Sequence, residues 1–180
     1  MPRMFLILLL ALMVQNSPAQ DALAPSFTID DADGEQLTLP REHDGADIYL
    51  FWASWCPYCK ALMPYLQSMR DELGDDVTIY ALNIRDQEMP EIFMFEHDYD
   101  FILIPEADPV MTLYGVKAVP GLFVVDGRGM IRFNLYDIVF NDSDEFKELS
   151  HKQKAGQRAP HWAARIREAV DQILSEKRPE

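Results

Sequence analysis

Apolar residues along this chain fall into two kinds of pattern, which predict different secondary structures. Continuous apolar runs at residues 47–53 and 77–84 are typical of buried strands. Between them, residues 57–73 carry apolar side chains at spacings of three and four, which mark the buried face of a helix. A strand, a helix and a second parallel strand form a β-α-β unit with a right-handed crossover. The pattern therefore predicts an α/β fold around parallel central strands.

Shorter patterns on both sides of this unit add further elements. Residues 24–30 and 35–39 alternate around an Asp-Gly turn and predict a β-hairpin. Residues 121–125 and 130–135 predict a second antiparallel hairpin, again around a turn that contains Asp and Gly. The chain between the second parallel strand and this hairpin predicts a helix, an apolar extended run and another helix, at residues 90–98, 101–105 and 108–116.

The C-terminal part is first polar and then amphipathic. In the polar segment, residues 141–160, Asp142 and Glu145 have the spacing of a helix cap. Residues 151–158 are typical of an exposed basic loop. Residues 161–176 carry apolar side chains at helical spacing and predict a final helix that covers the sheet. We interpret the polar segment as a solvated elaboration, with a partner surface as the alternative.

The two cysteines of the chain, Cys56 and Cys59, lie where the first helix begins. Residues three apart share a helix face, so the two thiols can form a disulfide across the first turn. Cys56 meets the positive end of the helix dipole and its unpaired N–H groups, which stabilise a thiolate. Cys59 lies one turn deeper. This pattern indicates redox chemistry, with Cys56 as the attacking thiol and Cys59 as the resolving thiol.

Two structural alternatives compete with this interpretation. A zinc site would need two more ligands, yet no cysteine is left and the four histidines lack metal-ligand spacing. A purely stabilising disulfide between Cys56 and Cys59 would close only two intervening residues and would constrain little chain entropy. Both alternatives are therefore weaker than the redox hypothesis.

The segment Trp52-Ala53-x-Trp55-Cys56-x-x-Cys59-Lys60 resembles the thioredoxin superfamily. It is most similar to the extracytoplasmic TlpA/ResA-like thiol:disulfide oxidoreductases, which include thioredoxin-like proteins of cytochrome c maturation. The resemblance implies a thioredoxin fold, in which helices flank a central mixed sheet. It also implies an extra N-terminal β-hairpin, and here the C-terminal helix follows an insertion.

A second segment, Tyr114-Gly115-Val116-x-x-Val119-Pro120, resembles the part of the thioredoxin fold whose proline is cis and lies against the cysteines. The resemblance implies a catalytic role for Pro120. Gly121 departs from the family pattern, which usually has Thr after this proline. The residues that the resemblance places against a substrate chain are Trp55, Pro57, Tyr58 and Val119.

Resolution by Cys59 calls for a base, and the sequence offers no obvious one. Leu50 stands where thioredoxin has a buried aspartate on the strand before the cysteines. TlpA/ResA-like proteins can place an acid after the next strand, which makes Asp86 the candidate, with Glu88 behind it. The alternative is that Asp86 is an ordinary solvated loop acid.

The resemblance implies reduction of disulfides in exported proteins by a Cys56–Cys59 dithiol that becomes a redox-active disulfide. It implies no other cofactor, no metal and a role in cell redox homeostasis. The expected partners are protein substrates with disulfides or thiols, such as apocytochrome c or a copper-site protein, and a membrane electron donor. We expect a monomer. A disulfide oxidase or isomerase with the same site is one alternative, and a copper-carrying binding protein is another.

Charge and the N-terminal sequence bear on partners and location. The net charge of −14 argues against a nucleic-acid partner, since phosphate binding needs clustered Lys and Arg. Residues 1–19 have the pattern of a cleaved signal peptide, because the apolar run at 4–14 is too short to span a bilayer and small residues follow. Residues 20–180 would then form one extracytoplasmic or periplasmic thioredoxin-like domain. An uncleaved membrane anchor is the alternative.

Overall fold

The computed structural model describes residues 22–140 and 142–177. The predicted signal peptide, residues 1–19, lies outside the described residues. In chain order the strands are β1 (Ala22–Leu23), β2 (Phe27–Asp30), β3 (Gln36–Leu39), β4 (Ala46–Trp52), β5 (Val77–Asn83), β6 (Ile102–Ile104), β7 (Gly121–Asp126) and β8 (Met130–Asn134). The α-helices are α1 (Pro57–Leu73), α2 (Pro90–Glu96), α3 (Asp108–Leu113), α4 (Asp144–Glu148) and α5 (His151–Lys177).

Six strands form one mixed sheet in the order β1-β8-β7-β4-β5-β6. The central strand β4 is parallel to β5 and antiparallel to β7, and β5 is parallel to β6. The remaining strands, β2 and β3, form a separate antiparallel hairpin before the central strand. The predicted mixed α/β sheet, its N-terminal hairpin and its C-terminal helix are therefore confirmed.

Every residue of β4 is buried, because both faces of the sheet are covered. On one face, Ile48, Leu50 and Trp52 pack in a cluster with residues of α1 and α5. On the other face, Tyr49 and Phe51 pack with residues of the N-terminal hairpin and α3. This double burial explains why the strand is an apolar run rather than an alternating pattern. It also fixes the point at which the chain leaves the sheet, next to the cysteines.

The C-terminal predictions need two corrections. Residues 151–158 are not a loop, because α5 begins at His151 and continues through Pro160. Only small side chains form its buried stripe at the start: Ala155 and Ala159 are each 1% exposed. The apolar signal of a helix is weak there, so the sequence pattern placed the helix start ten residues too late. Helix α4 is capped by the Ser143 side chain, which accepts the Phe146 N–H, and not by an Asp142–Glu145 cap.

The fold leaves the cysteine end of β4 facing the loop before β7. Two X-Pro bonds, Leu39–Pro40 and Val119–Pro120, are cis, and the second is the one implied by the resemblance. Among residues 22–140 and 142–177, no helix combines the length and apolar character that a membrane crossing needs.

Candidate active site

The site lies where the chain passes from the end of β4 into the start of α1. After Trp52 the chain turns, and the Cys56 N–H donates to the Ala53 carbonyl at 3.0 Å. Cys56 then caps the helix, and its Sγ accepts the N–H of Cys59 at 3.2 Å. Pro57 occupies the first helical position, where the missing N–H costs nothing. The local sequence therefore aims the Cys56 sulfur at the helix N–H groups.

The two thiols have unequal environments, although both are buried. The pKa of Cys56 is lowered, chiefly by a hydrogen bond with the Cys59 side chain. The N–H groups of Cys59 and Tyr58 and the charge of Lys60 lower this pKa further, whereas burial raises it. The pKa of Cys59 is raised well above its ordinary value by burial and by its partner sulfur. The arrangement can therefore form a nucleophilic thiolate at Cys56 while Cys59 keeps its proton.

Residues 117–120 form the cis-proline loop, which lies directly against the Cys56 thiol. The Cys56 Sγ donates to the Val119 carbonyl at 3.6 Å. Pro120 is buried behind that contact, whereas Lys117 and Ala118 are exposed. The Tyr136 hydroxyl supports this loop from the other side, because it donates to the Ala118 carbonyl. An extended substrate chain could lie along this backbone edge with its sulfur next to Cys56.

A groove of 460 Å³ opens over the Cys56 sulfur. Four of its lining residues are the predicted substrate contacts, and their part in binding stays a prediction. Trp55 forms one wall, is 54% exposed, and donates its indole N–H to the Arg85 carbonyl at 2.9 Å. The complete lining consists of Trp55, Cys56, Pro57, Tyr58, Arg85, Lys117, Ala118, Val119 and His151.

Four of these lining residues, Arg85, Lys117, Ala118 and His151, were absent from the sequence-based site. His151 reaches the groove from the start of α5, and its Nδ1 lies 3.2 Å from the Tyr58 hydroxyl. The predicted polar insertion therefore contributes to the site. No spacing in the sequence could show this, because 93 residues separate the two side chains.

The structure connects Asp86 to Ser54 rather than to the resolving thiol. Its carboxylate accepts the Ser54 hydroxyl at 2.9 Å, the Ser54 N–H, the Asn83 side-chain amide at 3.0 Å and the Glu88 N–H at 3.2 Å. Partial burial raises the pKa of Asp86, but these hydrogen bonds outweigh it and hold the pKa below its usual range. No hydrogen bond joins Asp86 to Cys59 among the described residues. These contacts show that Asp86 anchors the turn before Cys56, and its role as the base for Cys59 stays a prediction.

The zinc alternative depends on further metal ligands near the two cysteines. Within the described ranges, no group of three or more His, Cys, Asp or Glu side chains is arranged to hold a metal ion. The described site is a pair of free thiols in a groove.

Residues 21–134 match the model of the AhpC/TSA family. The chain belongs to the AhpC/TSA family. This segment contains both cysteines and the cis-proline loop, so the match covers the chemistry as well as the sheet.

The curated relatives include proteins named as thiol-disulfide oxidoreductases. The chain is 30% identical over 118 residues to the thiol-disulfide oxidoreductase ResA of Geobacillus thermodenitrificans, covering 63% of this chain and 67% of that protein. It is 27% identical over 114 residues to the thioredoxin-like protein YneN of Bacillus subtilis, covering 61% and 66%. It is 37% identical over 91 residues to a DsbE homolog of Paracoccus denitrificans, covering 48% of each. The match thus spans between half and two thirds of these relatives, and it confirms the predicted resemblance and the oxidoreductase class.

Solved structures confirm the fold. StoA from Bacillus subtilis is 26% identical, with a TM-score of 0.52, and the superposition covers 63% of this chain and 88% of StoA. A hypothetical protein from Sinorhizobium meliloti, SMc02350, covers more of the chain, 89%, and 87% of its own length, with a TM-score of 0.65 and 22% identity. The second likeness shows the thioredoxin-like architecture alone.

Proposed function

We propose that this chain is an extracytoplasmic thiol:disulfide oxidoreductase that reduces disulfides in exported proteins. The proposal rests on the difference in environment and pKa between the two cysteines. The Cys56 sulfur accepts the Cys59 N–H at the helix start and has a lowered pKa, whereas Cys59 is fully buried with a raised pKa. Thiol–disulfide exchange needs this division between an attacking and a resolving thiol.

The exchange proceeds in two balanced steps. The Cys56 thiolate attacks one sulfur of the substrate disulfide, the substrate S–S bond breaks, and the leaving substrate sulfur takes up a proton. Cys59 then loses its proton and attacks the Cys56 sulfur, which releases the second substrate thiol. Two electrons have passed to the substrate, and the Cys56–Cys59 disulfide holds the oxidised enzyme. A dithiol electron donor, proposed to be in the membrane, restores the two thiols.

The direction of electron transfer and the location of the protein are proposed from the sequence. The likeness of the Cys-x-x-Cys segment to TlpA/ResA-like proteins supports reduction, and the apolar run at residues 4–14 supports export. Export would bring the site to proteins that contain disulfides. Apocytochrome c and copper-site proteins are the partners that this group suggests.

The equilibrium reduction potential of the protein against dithiothreitol and glutathione buffers tests the direction. A value of about −270 mV or lower supports a reductase, whereas a value of about −120 mV would make the protein an oxidant of exported thiols and overturn the reductive assignment. Cys56→Ser serves as the blank.

A trapping experiment tests the assignment of the two thiols. Cys59→Ser should accumulate mixed disulfides with substrate proteins, because the second step is blocked. The matched variant Cys56→Ser should accumulate none. Trapping by Cys56→Ser instead would reverse the roles of the two cysteines.

A further inference from the structure

The groove over Cys56 is basic, although the protein as a whole is acidic. The chain has 30 Asp and Glu against 16 Lys and Arg. The groove nevertheless contains Arg85 and Lys117, with His151 as a third basic group, and no acidic residue lines it. The lining of the groove thus carries a charge opposite in sign to the net charge of the chain.

The two groove cations form no ion pairs in the described part of the chain. The Arg85 guanidinium donates to the Lys117 carbonyl at 3.2 Å, and Asp108 accepts only the Arg85 backbone N–H, at 3.4 Å. The Lys117 ammonium group has no partner among the described residues. By contrast, six of the other seven described arginines pair with carboxylates, namely Arg70, Arg128, Arg132, Arg158, Arg165 and Arg167. The groove therefore keeps two cations without ion-pair partners next to the reactive sulfur. Arg85 also lines a neighbouring pocket that is acidic, with Asp86, Glu88, Glu91, Glu106 and Asp108.

Their positions place these cations beside a bound substrate cysteine. Lys117 lies two residues before Val119, whose carbonyl contacts the Cys56 sulfur at 3.6 Å. Arg85 is fixed beside the indole of Trp55 by the 2.9 Å hydrogen bond from that ring. A chain that lies along Val119 with its sulfur at Cys56 would thus present its neighbouring side chains to both cations. The walls between them are largely apolar.

We propose that the groove selects disulfides whose cysteine is flanked by acidic side chains in an extended segment. The inference rests on the proposed function, since it names the substrate chemistry of the same site. Arg85 and Lys117 would determine specificity: they attract carboxylates next to the attacked cysteine and repel a basic segment. Complementary charge of this kind acts mainly on the rate of encounter and on partner choice.

The test uses reduced full-length protein and three peptides with an internal disulfide, which differ only in having Glu, Gln or Lys on both sides of one cysteine. Each rate is divided by that of the same peptide with dithiothreitol, which removes differences in intrinsic reactivity. The Glu peptide should react about tenfold faster than the Lys peptide at low salt. The preference should shrink in 1 M salt, where the Debye length falls to about 3 Å.

Variants assign the preference to the groove. Arg85→Gln with Lys117→Gln should abolish it, and Lys117→Glu should favour the Lys peptide. Lys117→Gln alone keeps the test valid if the Arg85 variant misfolds, because the Lys117 ammonium group has no contact to lose. Arg165→Gln with Lys147→Gln removes the same charge from two exposed pairs outside the groove and should keep the preference.

The outcomes separate the two hypotheses. Equal normalised rates for all peptides, or a preference that persists in the Arg85→Gln and Lys117→Gln double variant, would overturn the substrate inference and leave the reductase intact. If none of the peptides is reduced while dithiothreitol reduces all of them, the proposed function itself fails.

Discussion

Gly121 and Tyr136 occupy adjoining space beneath the cis-proline loop. A β-carbon at residue 121 would lie 2.9 Å from the Tyr136 hydroxyl oxygen and 3.0 Å from a methyl group of Val116. That hydroxyl donates to the Ala118 carbonyl, one residue before Val119. The glycine that departs from the family pattern therefore makes room for a tyrosine that supports the substrate-facing loop.

Gly121→Thr should lower the free energy of unfolding by about 1 to 3 kcal/mol, because the new side chain overpacks a filled space. Urea unfolding measures the change. Tyr136→Phe is the partner variant, since it removes the closest oxygen and keeps the ring. In the double variant the Gly121→Thr cost should shrink, although the Val116 contact persists. Strictly additive costs would show that the two residues do not share this space.

Alkylation should distinguish the two thiols of the reduced protein. At pH 7 iodoacetamide should modify Cys56 well before Cys59, because the lowered pKa of Cys56 leaves more thiolate and Cys59 is buried with a raised pKa. Mass spectrometry over a series of pH values gives both profiles. Cys59→Ala should move the Cys56 profile to higher pH, because the hydrogen bond with Cys59 is the largest cause of the lowered pKa. An unchanged profile would contradict this cause.

Asp86→Asn should reduce the free energy of unfolding by about 1 to 2 kcal/mol at neutral pH, because an amide cannot accept all the donors that meet the carboxylate. The lowered pKa of Asp86 gives the sign of the pH dependence. Its contribution is complete above the unfolded value of about 4 and is lost as pH falls through the folded pKa. Chemical unfolding at pH 7 and at pH 3 should therefore show a difference that shrinks in acid.

Glu88→Gln is the control for Asp86, since it removes a nearby exposed charge and keeps the hydrogen bonds. The predicted base role has its own readout, the rate at which Cys59 resolves a preformed Cys56 mixed disulfide. A general base contributes about a hundredfold or more to such a step. A loss of that size in folded Asp86→Asn, absent from Glu88→Gln, would identify Asp86 as the base. We expect a small change instead.

Asp47 should make the protein less stable as pH rises from about 4 to about 6. This carboxyl is 1% exposed, and burial raises its pKa to about 6, against the opposing effects of His43 and Arg41. Because the folded state holds the proton more tightly, stability falls between the unfolded and folded pKa values and is then constant. Asp47→Asn should remove this slope and stabilise the protein at pH 7 by about 2 kcal/mol.

Thermal and urea unfolding of Asp47→Asn between pH 4 and pH 8 check this expectation. Asp44→Asn, on the exposed loop nearby, is the matched control and should leave the slope in place. A slope that survives in Asp47→Asn would have to come from another group.

Local patterns predicted much of this fold because the physics behind them is local. The fully buried β4 appears as an apolar run, and α1 appears as a period of three and four. The β2–β3 hairpin appears as alternation around an Asp-Gly turn, and β7 as a second apolar run before another such turn. The cysteine pair was evident for the same reason, since its geometry depends on four consecutive residues at one helix start. The predicted start of α5 was wrong because the helix face buried there consists of Ala155 and Ala159, which give almost no apolar signal.

Local sequence alone indicates the reactive groups, namely two cysteines at a helix start and a proline loop against them, in a chain that folds around β4. The surroundings of these groups depend on tertiary contacts. The tertiary structure brought His151 to Tyr58, placed Tyr136 under Ala118 and connected Asp86 to Ser54. These contacts join residues far apart in the chain, and they exist only because the sheet and α5 bring distant loops to one edge. No periodicity or spacing along the chain predicts a contact between residues so far apart.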